Sequence, residues 1–203
     1  MRRALYGTLF MLVFTALAHA GYVSTLQEFS PNSINFVYGI DQTSFVYLGP
    51  GFAYPVTGLA TGSLELAGNL GCTSSDFSGF AAGGIALISR GGCGFNVKGI
   101  NAGNAGAIAF IVYDNINESL TGAQFGFFLP GPLIPGVFVT QSAGLILLTD
   151  LGIVGLGQPS NAVSMQLSVS SVPEPSTLAL CLSSMLPAGR FLVRARRERR
   201  EVR

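Results

Sequence analysis

Lys98 is the only lysine and His19 the only histidine in 203 residues, and together they bound the proton-transfer chemistry open to the chain. A Ser-His-Asp or Cys-His nucleophile needs an imidazole to move the proton, and His19 lies in an apolar N-terminal stretch that reads as a removable leader. A serine–lysine dyad would have to use Lys98. The seven acids between residues 21 and 172 (Glu28, Asp41, Glu65, Asp76, Asp114, Glu118 and Asp150) are scattered, and none recurs in a motif. Asp114 with Glu118 is the nearest approach to a calcium site and falls short of the acidic cluster such a site needs. Gly155-Leu156-Gly157 is too short for a dinucleotide loop, and there is no G-x-x-x-x-G-K phosphate loop. Two cysteines without a histidine make a poor zinc site. These residue types imply no catalytic site, no metal and no cofactor.

Binding chemistry has better candidates. Arg90 opens the turn Arg90-Gly91-Gly92-Cys93-Gly94. It either satisfies turn carbonyls at the surface or contacts a peptide carboxylate, which a guanidinium can grip in bidentate fashion. Phe125, Phe127, Phe128 and Leu129 form an apolar run between Gly122 and Pro130. Such a run in a loop is a binding surface; as a strand it packs into the fold instead. Asn117-Glu118-Ser119 matches a glycosylation sequon.

Both chain ends speak of export. Arg2 and Arg3 precede an apolar run from Leu5 to Ala18 and the small-residue site Ala18-His19-Ala20, the pattern of a secretory signal peptide. At the other end, Val172-Pro173-Glu174-Pro175 is followed by an apolar stretch and an arginine-rich terminus. That three-part tail resembles the PEP-CTERM sorting signal. The resemblance implies recognition by a membrane-embedded exosortase and delivery to the cell envelope, surface or extracellular matrix of a Gram-negative bacterium. The uncharged segment from Ser176 to Gly189 holds fourteen residues, short of the roughly twenty that a spanning helix needs. It suits a transient inner-membrane anchor, with the arginines behind it kept on the cytoplasmic side. The chain therefore divides into a signal peptide (1–20), a domain (21–171) and a sorting tail (172–203). Between residues 21 and 172 only Arg90 and Lys98 oppose the seven acids, a net charge of −5, which argues against nucleic acid as a partner. Cys181 falls in the tail, leaving Cys72 and Cys93 as an even pair in an oxidising compartment, where a disulfide is the default.

The elements that must position these residues change character along the domain. Its first half reads as short strands: Ile34 to Tyr38, Phe45 to Leu48, and a hairpin formed by Pro55–Gly58 and Ser63–Ala67. From Gly84 the pattern becomes strand, helix, strand. Ile85–Ile88 and Ala107–Tyr113 are apolar runs expected of strands covered on both faces, separated by a helix from Phe95 to Gly106. A βαβ unit of this kind makes its strands parallel. In that helix Phe95 anchors the core, while Asn96, Asn101 and Asn104 lie elsewhere; Gly99 and Gly103 share a face expected to meet the sheet, where alanine would overpack. Val137–Val139 and Ser142–Asp150 repeat the strand–helix step. The alternation Val163, Met165, Leu167, Val169 predicts a half-buried, antiparallel last strand.

The run Gly84-Ile85-Ala86-Leu87-Ile88-Ser89-Arg90-Gly91-Gly92-Cys93-Gly94-Phe95 resembles the core signature of the protease-associated (PA) domain. Its continuation does so too, through Lys98, Asn101-Ala102, Ala105-Gly106-Ala107 and Tyr113-Asp114-Asn115. Pro55–Gly58 and Gly71-Cys72 upstream, and Ile134–Val139 with Gln141 and Gly144 downstream, extend the likeness over roughly residues 54–152. The resemblance implies an α/β fold, a β-barrel-like sandwich with two flanking helices, in which Cys72 is the partner of Cys93 and Lys98 lies on the helix surface. It also implies no chemistry of its own. PA domains sit in or beside proteases, sorting receptors and ubiquitin ligases, and no catalytic module accompanies this one. The expected function is an exported, non-catalytic binding module for an unknown protein, peptide or polysaccharide ligand. The alternatives are a structural component of an exopolysaccharide matrix, or an accessory subunit that presents substrates to a separate protease.

The two terminal signals predict the mass of the exported protein. Cleavage after Ala20 and loss of the tail near Pro173–Pro175 should both register in intact-mass spectrometry. A surface species retaining Arg203 would contradict the sorting assignment.

Overall fold

The structure, a computed structural model, describes residues 21–45, 56–116, 120, 134–153 and 161–172. In chain order they form β1 (Gly21–Ser30), β2 (Ile34–Phe36), β3 (Gln42–Ser44), β4 (Gly58–Leu66), β5 (Ile85–Ser89), α1 (Phe95–Asn104), β6 (Ala109–Tyr113), β7 (Gly136–Val139), α2 (Gln141–Asp150) and β8 (Ser164–Val172), with a 3-10 turn at Ser74–Phe77. Residues Tyr22–Ser171 make one compact unit. All eight strands join one mixed sheet in the order β2-β1-β8-β4-β5-β6-β7-β3.

Strands β4, β5, β6 and β7 run parallel, in register Leu64 with Ile85, Ile85 with Ala109 and Ile111 with Val137. Their continuous apolar character follows from period-two alternation with both faces covered. Ile85 and Leu87 point into one core with Ile111, Val137 and Val139 and with Ala143, Leu147 and Leu151 of the α2 segment. Ala86 and Ile88 point the other way, to Phe110, Val112, Phe138 and Ala102 of α1. The two helices therefore cover opposite faces of the central strands. Four consecutive residues of β5, Ile85 to Ile88, are completely buried, and each Ile or Leu so placed contributes about 1.5–3 kcal/mol.

The sheet also curls on itself. Leu26, Phe36, Met165, Leu167 and Val169, from β1, β2 and β8, share the α2-side core with β5 and β6. Strands β1 and β3, distant in sheet order, are joined by side chains: Ser24 Oγ donates to Gln42 Oε1 (2.6 Å), Gln42 Nε2 donates to the Ser24 carbonyl (2.8 Å), and Ser44 Oγ donates to the Tyr22 carbonyl. The expected α/β fold with a barrel-like sheet and two flanking helices is thus observed. The βαβ unit and the antiparallel last strand hold as well: β8 pairs antiparallel with β4, Ala60 opposite Leu167, and buries alternate residues.

The first half departs from expectation. Residues 58–66 are one continuous strand rather than the turn and second arm of a hairpin between Pro55–Gly58 and Ser63–Ala67, because β4 is bonded on both edges, by β5 and by β8. The second short strand lies at Gln42–Ser44, antiparallel to β7; Phe45 follows it as irregular chain, fully buried against Phe95, Phe110 and Phe138. Strand β1 escapes sequence reading because its inward positions are Ser24, Leu26 and Glu28, two of them polar, so apolar alternation is hidden. In α1, Phe95 packs against Phe45 and Phe138 of the core as expected, though partly exposed, whereas Asn96, expected elsewhere, is buried.

Glycine decides the fit of both helices. A Cβ on Gly144 would lie 2.5 Å from Tyr113 Cβ, so α2 sits against β6 closer than any other residue allows. At Gly103 it would lie 3.8 Å from Ile134, an ordinary contact; overpacking is not expected there after all. Gly144→Ala should lose about 1–3 kcal/mol, and Gly103→Ala should gain about 0.5–1 kcal/mol from helix propensity. Urea denaturation of the two variants beside the wild type checks both signs.

Candidate functional site

The loop from Gly68 to Phe77 and the turn after β5 are tied by a disulfide between Cys72 and Cys93, Cα atoms 5.8 Å apart. The turn exists because Gly91 and Gly92 both take positive φ, +105° and +75°, which side chains resist. Asp76 organises the facing loop. Its Oδ2 accepts from the backbone N–H of Cys72 (2.8 Å) and Thr73 (3.1 Å), and its Oδ1 from Asn69 Nδ2 (3.1 Å). The Asn69 donor, with these amides, holds the Asp76 carboxyl below the usual range.

Lys98 is not on the helix surface. It is completely buried under this loop, where its Nζ donates to the Leu70 carbonyl and lies 3.8 Å from Cys72 Sγ. Burial pushes its ammonium down to about 8, against the pull of the Asp76 carboxylate. The helix turns this lysine inward because the Gly68–Phe77 loop lies over α1 and offers a main-chain acceptor there. Asn101 Nδ2 adds a second tie, to the Gly71 carbonyl (3.2 Å). Lys98 therefore pins the disulfide loop to α1, and its ammonium is engaged by the fold.

Arg90, at the end of β5, meets a carboxylate from its own chain. Its Nη1 lies 3.0 Å from both oxygens of Asp114, which is wholly buried at the end of β6. The Ile116 amide donates to the same carboxylate (3.2 Å), and the Asp114 amide to the Val139 carbonyl. Asp114 is thus the counter-ion of Arg90; Glu118, its partner in the weak calcium pattern, lies outside the described residues. Among the described residues no group of three His, Cys, Asp or Glu could hold a metal. Neither reading of Arg90 foresaw this ion pair, because a sequence separation of 24 between the partners gives no local signal.

These contacts gather the carboxyl ends of β5, β6 and β7 into one polar edge. Arg90 leaves 28% of its side chain open to solvent, Asn115 is exposed, and Gln141, at the start of α2, donates from Nε2 to the Asn115 carbonyl (3.2 Å). The carboxyl edge of parallel strands is where open α/β sheets bind ligands. The arrangement offers hydrogen-bonding groups and a partly exposed guanidinium. The other candidates, Phe125, Phe127, Phe128 and Leu129, lie outside the described residues, as do Ala18, Ala20, Pro173, Glu174, Pro175, Cys181 and the 155–157 loop; Val172 ends β8.

The bridge should matter for stability. Cys93→Ala removes the closure of a loop 21 residues long in sequence separation and should lower unfolding free energy by about 2–5 kcal/mol. Denaturant titration measures the loss, and non-reducing peptide mapping should recover the Cys72–Cys93 linked pair.

Residues 60–147 match the PA domain family. A probable leucine aminopeptidase 2 of Aspergillus fumigatus is 37% identical over 101 residues, covering 47% of this chain and 20% of the aminopeptidase. Leucine aminopeptidase 2 of Arthroderma otae is 43% identical over 84 residues, 41% of this chain and 17% of that protein. The chain thus spans about a fifth of the length of the curated relatives it matches. Among solved structures, an aminopeptidase from Aneurinibacillus sp. strain AM-1 superposes with a TM-score of 0.49 at 22% identity, over 75% of this chain and 33% of the other. Residues 60–147 of this chain form a PA domain.

Proposed function

We propose that the protein is an exported, non-catalytic binding module, sorted to the bacterial envelope or extracellular matrix by an exosortase. The observation that carries the binding reading is the engagement of the domain's charged groups by the fold itself. Lys98 is bonded to the Leu70 carbonyl and Asp114 to Arg90, whereas the polar edge at Arg90, Asn115 and Gln141 keeps part of its surface exposed to solvent. The partly exposed guanidinium of Arg90, held in place by Asp114, is the group we assign to a carboxylate of a peptide ligand. The sorting half of the proposal is supported by the two terminal signals in the sequence.

The relatives point to a second reading, an accessory subunit that presents substrates to a separate protease. The matched segment in those proteins belongs to molecules described as aminopeptidases, so a peptide is the ligand class to try first. A structural role in an exopolysaccharide matrix makes the opposite demand, a polysaccharide ligand and no peptide.

The purified exported protein, immobilised and exposed separately to the producer's secreted peptides and to its polysaccharide, distinguishes the readings. Peptide retention that weakens with Arg90→Gln, without hydrolysis of leucine p-nitroanilide, is expected. Polysaccharide retention alone would favour the matrix role, and leucine release would overturn the non-catalytic reading.

A further inference from the structure

Glu28 and Asp150 meet on the α2 side of the sheet, away from the polar edge. Glu28 points inward from β1 and is completely buried; Asp150 is the last residue of α2. Asn32, in the link between β1 and β2, serves both carboxyl groups: its backbone amide donates to Glu28 Oε1 (3.1 Å) and its Nδ2 to Asp150 Oδ1 (2.8 Å). The other two oxygens, Glu28 Oε2 and Asp150 Oδ2, are buried and receive no donor. Asn32 thus holds the two carboxyl groups beside each other, each with one oxygen bonded and one without a donor.

Two ionised carboxylates in that position would repel, with two acceptors left unsatisfied. Among the described residues no cation relieves them. Arg90 and Lys98 are the only basic residues between 21 and 172, and they are bonded to Asp114 and to the Leu70 carbonyl. Of the elements around Glu28, β2 and β8 carry no ionisable side chain, and α2 carries Asp150 alone. A single proton resolves both the repulsion and the two empty acceptors.

We propose that Glu28 and Asp150 form a carboxyl–carboxylate pair that holds one proton between Glu28 Oε2 and Asp150 Oδ2, a clasp fastening the β1–β2 hairpin to the C-terminal end of α2. Burial, and then hydrogen bonding and charge from Asp150, push the Glu28 carboxyl up to about 7 against the lowering effect of the Asn32 amide. The folded chain therefore keeps a proton that the unfolded chain releases near the ordinary value of 4.5. The clasp is fully closed below about 4.5 and is lost as the pH rises through about 7. For an exported domain, the external pH then sets how firmly its N-terminal hairpin is held.

Urea unfolding of the full exported chain between pH 5 and 8.5, wild type against Glu28→Gln, tests the clasp. Glutamine supplies the missing donor permanently. Relative to this variant, the wild-type unfolding constant should rise by up to about tenfold per pH unit between pH 5 and 7. Infrared titration of the wild type should show a protonated carboxyl that ionises near neutrality and disappears in Glu28→Gln. Asp150→Asn should move that ionisation to lower pH, by about one unit or more. Parallel pH profiles for wild type and Glu28→Gln would overturn the proposal. So would selective stabilisation of the wild type by calcium at pH 8, which would assign the gap to a divalent cation. If Glu28→Gln fails to fold, the wild-type infrared titration decides alone: a carboxyl fully ionised by pH 5.5 refutes the clasp.

Discussion

The fold depends on the pairing of β5 with β6, two parallel strands buried on both faces. Parallel strands cannot be joined by a tight turn, so the chain must leave the sheet, cross one face as α1 and return. Because every residue from Ile85 to Ile88 is inaccessible to water, the opposite face needs a cover as well, and α2 supplies it after β7. With helices on both faces, the loops that leave β5, β6 and β7 emerge at one edge. The polar edge at Arg90, Asn115 and Gln141 is therefore a consequence of how the central pair is buried.

The second constraint is electrostatic. A domain with two cations and seven acids has few charges to spend on its interior, yet Lys98, Asp114 and Glu28 are all fully buried. Each is answered differently. Asp114 has a full counter-charge in Arg90 and a backbone donor. Lys98 has a main-chain carbonyl and a distant carboxylate, and burial lowers its basicity in spite of that carboxylate. Glu28 faces another carboxylate and gains a proton affinity unusual for its type. A buried ion pair is retained only when its hydrogen bonds are complete, which describes Arg90 and Asp114 and fails for Glu28 with Asp150. The last pair is accordingly where the surrounding pH can act on the fold.

The disulfide, Lys98 and Asp76 act together on the loop between β4 and β5. Asp76 shapes the loop from within through three N–H donors, the disulfide fastens it to the turn after β5, and Lys98 fixes it to α1. In each of these ties but the disulfide and the Asn69–Asp76 bond, a side chain meets a backbone amide or carbonyl. The disulfide also ties the turn after β5, which carries Arg90, to the facing loop.

The central elements were legible in the sequence because their cause is local. A four-residue apolar run, a glycine-rich turn and a helix-length interval before a second apolar run admit few arrangements other than a βαβ unit. Alternation from Val163 to Val169 marked the last strand, and the cysteine pair followed from compartment and number. What failed were features set by neighbours far along the chain. Strand β1 buries Ser24 and Glu28 because Gln42 and Asn32 answer them, so no apolar period betrays it. Lys98 turns inward because a carbonyl 28 residues upstream awaits its ammonium. Arg90 is held by Asp114, and Glu28 by Asp150, across strands and helices that only the closed sheet brings together. Local periodicity determines which segments become strands and helices; the pairing of buried polar groups is a property of three-dimensional proximity, and tertiary structure alone decides it.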